Sequence, residues 1–290
     1  MDYSRQARTK ATKTLIRFGA ITTLLFAHVL TIVAQQPAKS VGRVPPASPP
    51  PATTRPRTAN SPVTTTTNDV NKLLGDGQAA FDAGRYEEAI ARYNKVLALS
   101  ANQPRTAAVA SLLIGNVNMA QRKFGNAEVA FQRAVTLSPT FAEGYNGLGE
   151  ALGELKQFPR AIEAFNKAVG LDPKLLKAKY NQAVTYDRMK NFRYSEFVFR
   201  SLIKNHPDYA LAYDGLAVTL SKAGRAKEAI PLHEKAIALS PRESSYYFNY
   251  AISNLMLGNT AKALEQQQRL RAIDPLVAER LASVIIKRQM

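Results

Sequence analysis

Small and apolar positions recur along the chain from Val70 onward at a spacing of 34 residues, with four extra residues after the first unit. The eighth position of each unit is small: Gly77, Gly115, Gly149, Ala183, Ala217 and Ala251. The twentieth is small as well: Ala89, Ala127, Ala161, Ser195, Ala229 and Ala263. An aromatic stands at position 24 of the first four units, as Tyr93, Phe131, Phe165 and Phe199. Proline closes the unit at Pro139, Pro173, Pro207, Pro241 and Pro275, where it stops a helix. The pattern predicts two helices per unit, close together at their small positions, with the aromatic filling the gap between successive pairs. Residues 84–89 and 224–229 read as the turn between the two helices.

Six such units cover 70–103, 108–141, 142–175, 176–209, 210–243 and 244–277. The third shows the pattern best, as Tyr145-x2-Leu148-Gly149-x2-Leu152, then Ala161-x3-Phe165, Ala168 and Pro173. These residues resemble the tetratricopeptide repeat. The resemblance covers all six units and implies an all-α fold, an α-solenoid of helix-turn-helix repeats. Its departures lie at the ends: Asp76 and Ala101 in unit one, and His233 and Gln267 where units five and six would carry the aromatic. His233 reads as a polar replacement in a slackened packing slot. After Pro275, the stripe Val277, Leu281, Val284 and Ile285 has helical spacing and predicts a capping helix over 278–290.

The N-terminus carries a different pattern. Arg5, Arg8, Lys10, Lys13 and Arg17 precede an uncharged apolar run from Phe18 to Ala34. As a helix the run would reach about 26 Å, a little short of a hydrocarbon core. Residues 1–34 therefore read either as a signal peptide cleaved near Ala34 or as an uncleaved signal anchor. Both readings export the remainder, with the N-terminus kept inside. Residues 35–69 are rich in proline and threonine and have little to bury, which predicts a disordered, semi-rigid linker.

In tetratricopeptide proteins the first helices line a concave surface that binds partner segments. The resemblance carries this over to positions 2, 5, 6, 9, 12 and 13 of each unit. Their charged residues are Lys177, Arg188 and Lys222 against Asp82, Glu143, Glu150, Glu154, Asp187 and Asp214, so this face is mildly acidic. Phe81, Leu112, Met119, Val184, Leu211, Leu255 and Met256 are apolar candidates beside it. The partner-binding candidates are Asn116, Asn146, Glu150, Tyr180, Asn181, Asp214, Phe248, Asn249 and Ile252. The lysine and asparagine set of the family's two-carboxylate clamp is incomplete, because Leu74, Leu112 or Asn146 stands at its companion lysine position.

Composition narrows the chemistry. The 290 residues hold no cysteine and three dispersed histidines, His28, His206 and His233, which leaves thiolate chemistry out and gives a metal site little to draw on. No phosphate-binding loop, nucleophile elbow or zinc-protease motif is present, so no cofactor and no enzymatic activity are expected. Net charge is +17. Its bases fall on the second helices, at Lys95, Arg133, Lys167, Lys235 and Arg269, and at the turns, rather than along one track as phosphate binding requires. The expected function is an exported, periplasmic interaction scaffold of the bacterial cell envelope, secreted or anchored in the inner membrane, that holds a partner protein or peptide in its groove. The alternative is peripheral binding of anionic lipid or nucleic acid through the basic convex face.

Overall fold

The computed structural model describes residues 67–289. The export segment and all of the linker before Thr67 lie outside them. Among the described residues there are thirteen α-helices and no strand: α1 (Thr67–Asp82), α2 (Tyr86–Leu99), α3 (Pro104–Ala120), α4 (Phe124–Leu137), α5 (Ala142–Glu154), α6 (Phe158–Leu171), α7 (Leu176–Arg188), α8 (Phe192–Asn205), α9 (Ala210–Lys222), α10 (Ala226–Leu239), α11 (Ser244–Met256), α12 (Thr260–Ile273) and α13 (Pro275–Gln289). They form a helix-turn-helix array of the expected class, closed by a single unpaired helix, α13.

Three boundaries differ from the repeat register, one of them at the cap, where α13 begins at Pro275 rather than at 278 because the proline takes its first helical position. Helix α1 begins at Thr67, inside the stretch read as linker, and Asp69 in its first turn favours the helix N-terminus. The four extra residues after unit one are not a loop. They add a turn to the front of α3, where Pro104 takes the first helical position and loses no intrahelical bond.

The helices divide into two compact units. One holds the described residues up to Arg122 together with Thr136–Ser138; the other holds Lys123–Val135 and everything from Pro139 onward. In the first, α2 packs against both α1 and α3. Tyr93 is its most deeply buried aromatic, set against Gly77. In the second, each helix from α5 to α13 packs on the next, and the first helices α5, α7, α9, α11 and α13 also touch in succession.

The same joint connects both helices of a pair. One residue in the left-handed region ends the first helix at Gly84, Arg122, Lys156, Lys190, Gly224 and Gly258. The next amide then reaches back to close the turn, as from Gln157 to the Leu152 carbonyl at 2.9 Å and from Arg225 to the Leu220 carbonyl at 2.8 Å.

Packing at the small positions is tight. A Cβ added to Gly149 would lie 2.6 Å from the Phe165 ring, and one added to Gly147 would lie 2.5 Å from Phe131. Gly215 stands in the same relation to Phe199, at 2.5 Å. Each of the four position-24 aromatics thus meets a glycine, at position 8 of its own repeat or at position 6 of the next. His233 and Gln267 have no such partner, since Ala217 with Asn249 and Ala251 with Ser283 hold those places.

Candidate functional site

In the second unit the first helices bring most of the sequence candidates onto one face. Asn146 and Glu150 lie one turn apart on α5, and Asn181 projects from the next first helix, α7. The Asn181 amide donates to Asn146 Oδ1 at 3.1 Å and to Glu150 Oε1 at 2.9 Å. Glu150 Oε1 also accepts from Asn146 at 2.7 Å and from Lys177 Nζ at 2.7 Å. All three donors converge on one carboxylate oxygen.

The same rung repeats along the array. Arg188 Nη1 donates to Glu154 Oε1 at 2.8 Å, and its guanidinium carbon stands 5.3 Å from the Phe158 ring centroid. Lys222 on α9 pairs with Asp187 Oδ2 on α7. Asn249 on α11 donates to Asp214 Oδ2 on α9 at 2.8 Å. Each of the three cations on this face therefore meets a carboxylate of the preceding first helix. That ladder is why the acidic excess read from sequence does not leave six free carboxylates.

His233 departs from the sequence reading. It does not sit in slackened packing: it is fully buried, with 0% exposure. Its Nδ1 lies 2.9 Å from Asp214 Oδ1 and its Nε2 3.0 Å from Ser253 Oγ, which meets Ser221 Oγ at 2.7 Å. An imidazole fits here because no glycine makes room for a phenyl ring and because two buried polar groups, Asp214 Oδ1 and Ser253 Oγ, take it as a partner. The network is missed in sequence because its members are 19 and 20 residues apart, with Asp214 and His233 on different helices of one repeat and Ser253 in the next. Asp, His and Ser in hydrogen-bond series suggest acyl chemistry, yet Ser253 is 1% exposed and its hydroxyl is engaged twice. A buried hydroxyl with no approach for a carbonyl is a packing element.

The remaining candidates divide by burial. Tyr180 is half-buried, edge-on to Phe199 with centroids 5.7 Å apart. Burial pushes its phenol pKa well above the usual value, with Asp214, Tyr209 and Asp187 adding to the shift. Phe248 and Ile252 pack against the cluster that includes Leu281 and Ile285 of α13. The Arg280 guanidinium also covers the Phe248 ring at 4.8 Å. Of the apolar candidates, Phe81, Leu112 and Leu255 are core residues, whereas Leu211 and Met256 are exposed. Asn116 is half-buried on α3 of the first unit.

In the sequence Asp187 is only one charge among six. In the fold it is 7% exposed, and its Oδ1 is buried with no hydrogen-bond donor. On the second helices and at the turns that lead into them, by contrast, many bases are paired. Arg160 meets Glu128 at 3.0 Å, and Arg225 joins Glu196 and Glu228 at 2.7 Å each. These contacts break up the basic face, although Arg133, Lys167 and Lys235 stay exposed on it. Among the described residues no group of acidic, histidine or cysteine side chains could hold a metal ion, and no helix is long and apolar enough to cross a membrane.

Comparison with known proteins agrees with this architecture. Sequence models described as tetratricopeptide repeat match residues 74–140, 142–175, 177–209 and 215–278. The Hsp70-Hsp90 organizing protein of Triticum aestivum is 35% identical over 102 residues, covering 33% of this chain and 16% of that protein. Anaphase-promoting complex subunit 3 of Schizosaccharomyces pombe is 22% identical over 163 residues, 56% of this chain and 24% of that protein. The chain thus spans less than a quarter of the length of either relative. A solved tetratricopeptide repeat protein from Parabacteroides merdae superposes with a TM-score of 0.62 at 18% identity, over 77% of this chain and 87% of that one. PilW, a type IV pilus biogenesis factor, gives 0.63 at 20% identity, over 76% of this chain and all of that one. At such identities the likeness shows the fold.

Proposed function

Because the chain belongs to the tetratricopeptide repeat family, we propose that it is a non-enzymatic scaffold that captures a segment of another protein along the first-helix face of its second unit. The side-chain ladder across α5, α7, α9 and α11 supports this reading. It holds amide and carboxylate groups in fixed positions before a ligand arrives, which lowers the ordering cost of binding. Beside it stand partly exposed Tyr180 and Val184 and the exposed Leu211, which suit apolar anchor residues. Peptide recognition of this kind needs no cofactor.

We infer the location from the N-terminal pattern. Residues 18–34 direct the chain to the cell envelope, and the repeats act on the outer side of the inner membrane, released or held by that segment. The variant Leu211→Trp tests the binding face, because Leu211 is 40% exposed and a bulky ring there obstructs the groove without disturbing the core. Full-length parent and variant are used as baits on detergent-solubilised envelope. A protein retained by the parent and lost by the variant supports the groove. Equal recovery by both contradicts it.

A further inference from the structure

Asp187 is the groove carboxylate with unused capacity. Asp214 has both oxygens occupied, by His233 and by Asn249. Glu150 gathers three donors on one oxygen, and its side chain is 28% exposed, so water reaches the rest. Asp187 is different: Lys222 engages Oδ2, while Oδ1 is enclosed and has no donor. A buried carboxylate oxygen without a donor is costly, and a charged donor lowers that cost most. Lys222, a compact ammonium on a side chain 48% exposed, satisfies only one of the two oxygens. A planar guanidinium that displaces Lys222 presents two parallel N–H groups, one for each oxygen.

The surroundings suit a cation. Tyr180 lies about two turns before Asp187 on α7, and its phenol pKa is raised first by burial and then by Asp214, Tyr209 and Asp187. Of these two carboxylates, Asp187 is paired with Lys222, while Asp214 is engaged by Asn249 and by the buried His233. The half-buried Tyr180 offers an aromatic ring beside the same charges, a setting that favours a guanidinium.

We propose that the groove stretch formed by Tyr180, Asp187, Asp214 and Lys222 receives a basic side chain, foremost an arginine, from the bound segment, and that Lys222 holds the place of that side chain until it arrives. The inference rests on the groove reading above and adds the chemistry of the partner. The chain's net charge of +17 makes it sharper, because a basic peptide is repelled by the surface at large and must be drawn in by a local feature.

The test uses the full-length protein and three fluorescein-labelled peptides of one sequence that differ only in carrying arginine, glutamine or glutamate at alternate positions, followed by fluorescence anisotropy. The arginine peptide should bind tightest. Asp187→Asn should weaken it by about tenfold or more while leaving the glutamine peptide unchanged. Lys222→Ala, which removes the one partner of Asp187 and is measured at a temperature where circular dichroism shows it folded, should tighten it. These opposite signs are not produced by a merely structural Asp187. Equal affinity for the three peptides, or an arginine preference that neither variant alters, overturns the inference. The groove reading is judged separately by Leu211→Trp: loss of glutamine-peptide binding in that variant, without any arginine preference, keeps the groove and rejects the basic side chain.

Discussion

Gly149 and Phe165 are matched so closely that the first helix of the third repeat has room for a hydrogen at that position and not for a methyl group. The ring is 1% exposed and cannot move aside. Gly149→Ala gains about 1 kcal/mol in helix propensity and loses about 1–3 kcal/mol to overpacking, so a net loss is expected. Phe165→Ala should cost more, about 3–5 kcal/mol. The double variant should lose less than the sum, because the added methyl enters the space the ring left. Urea unfolding of the four proteins checks this; strict additivity would mean that the two positions are not in contact.

Gly224 is required for another reason. Its φ is +81° and a Cβ added there would meet nothing within 4 Å, so Gly224→Ala should cost about 1 kcal/mol from backbone conformation alone. Gly75, inside α1, also has open space around it but no such φ. Gly75→Ala should stabilise by up to about 1 kcal/mol. Thermal unfolding should move in opposite directions for the two variants, and a common direction would contradict this assignment.

Restoring the family's aromatic at position 233 should do harm. His233→Phe removes the partner of Asp214 Oδ1 and of Ser253 Oγ. It also places a phenyl ring where Ala217 and Asn249 leave no glycine. A loss of about 1–3 kcal/mol is expected from urea unfolding. A more stable variant would show that the polar network is dispensable.

The buried tyrosines set an alkaline limit. Burial pushes Tyr209 up to about 12, and burial together with its bond to Glu234 pushes Tyr250 up to about 12. A phenol whose folded pKa is raised favours the folded state below its unfolded value near 10, and that contribution is lost as pH rises toward 12. Phenolate absorbance should therefore rise in two steps, exposed tyrosines first and the buried set with unfolding. A single step near the ordinary phenol value of about 10 would contradict the burial of Tyr209 and Tyr250.

The repeat was legible because each of its positions answers a local packing need that recurs at a fixed spacing. Small residues at positions 8 and 20 and the ring at 24 announce helix pairs without reference to anything distant. The rule that a ring meets a glycine at position 8 or at position 6 of the next repeat was also present in the sequence. It would have explained His233 and Gln267 as consequences of missing glycines rather than as loosened ends. The site was less legible. Positions 5, 6, 9 and 12 identified the right face, yet pairing across that face depends on side-chain reach between repeats. Sequence counting could not show that Lys177, Arg188 and Lys222 are each matched to an acid, nor that Asp187 keeps one oxygen without a donor. Phe248 and Ile252 read as groove residues in the sequence because register alone does not show that α13 packs over them.

Site-specific photo-crosslinking in cells tests capture in the groove most directly. A benzophenone amino acid is placed at Leu211 on the first-helix face, and in a second protein at Lys167 on the exposed side of α6. A discrete crosslinked partner is expected from position 211 and none from position 167. Crosslinking from 167 alone, or to the same partner with equal yield from both, would contradict capture of a partner segment in the groove.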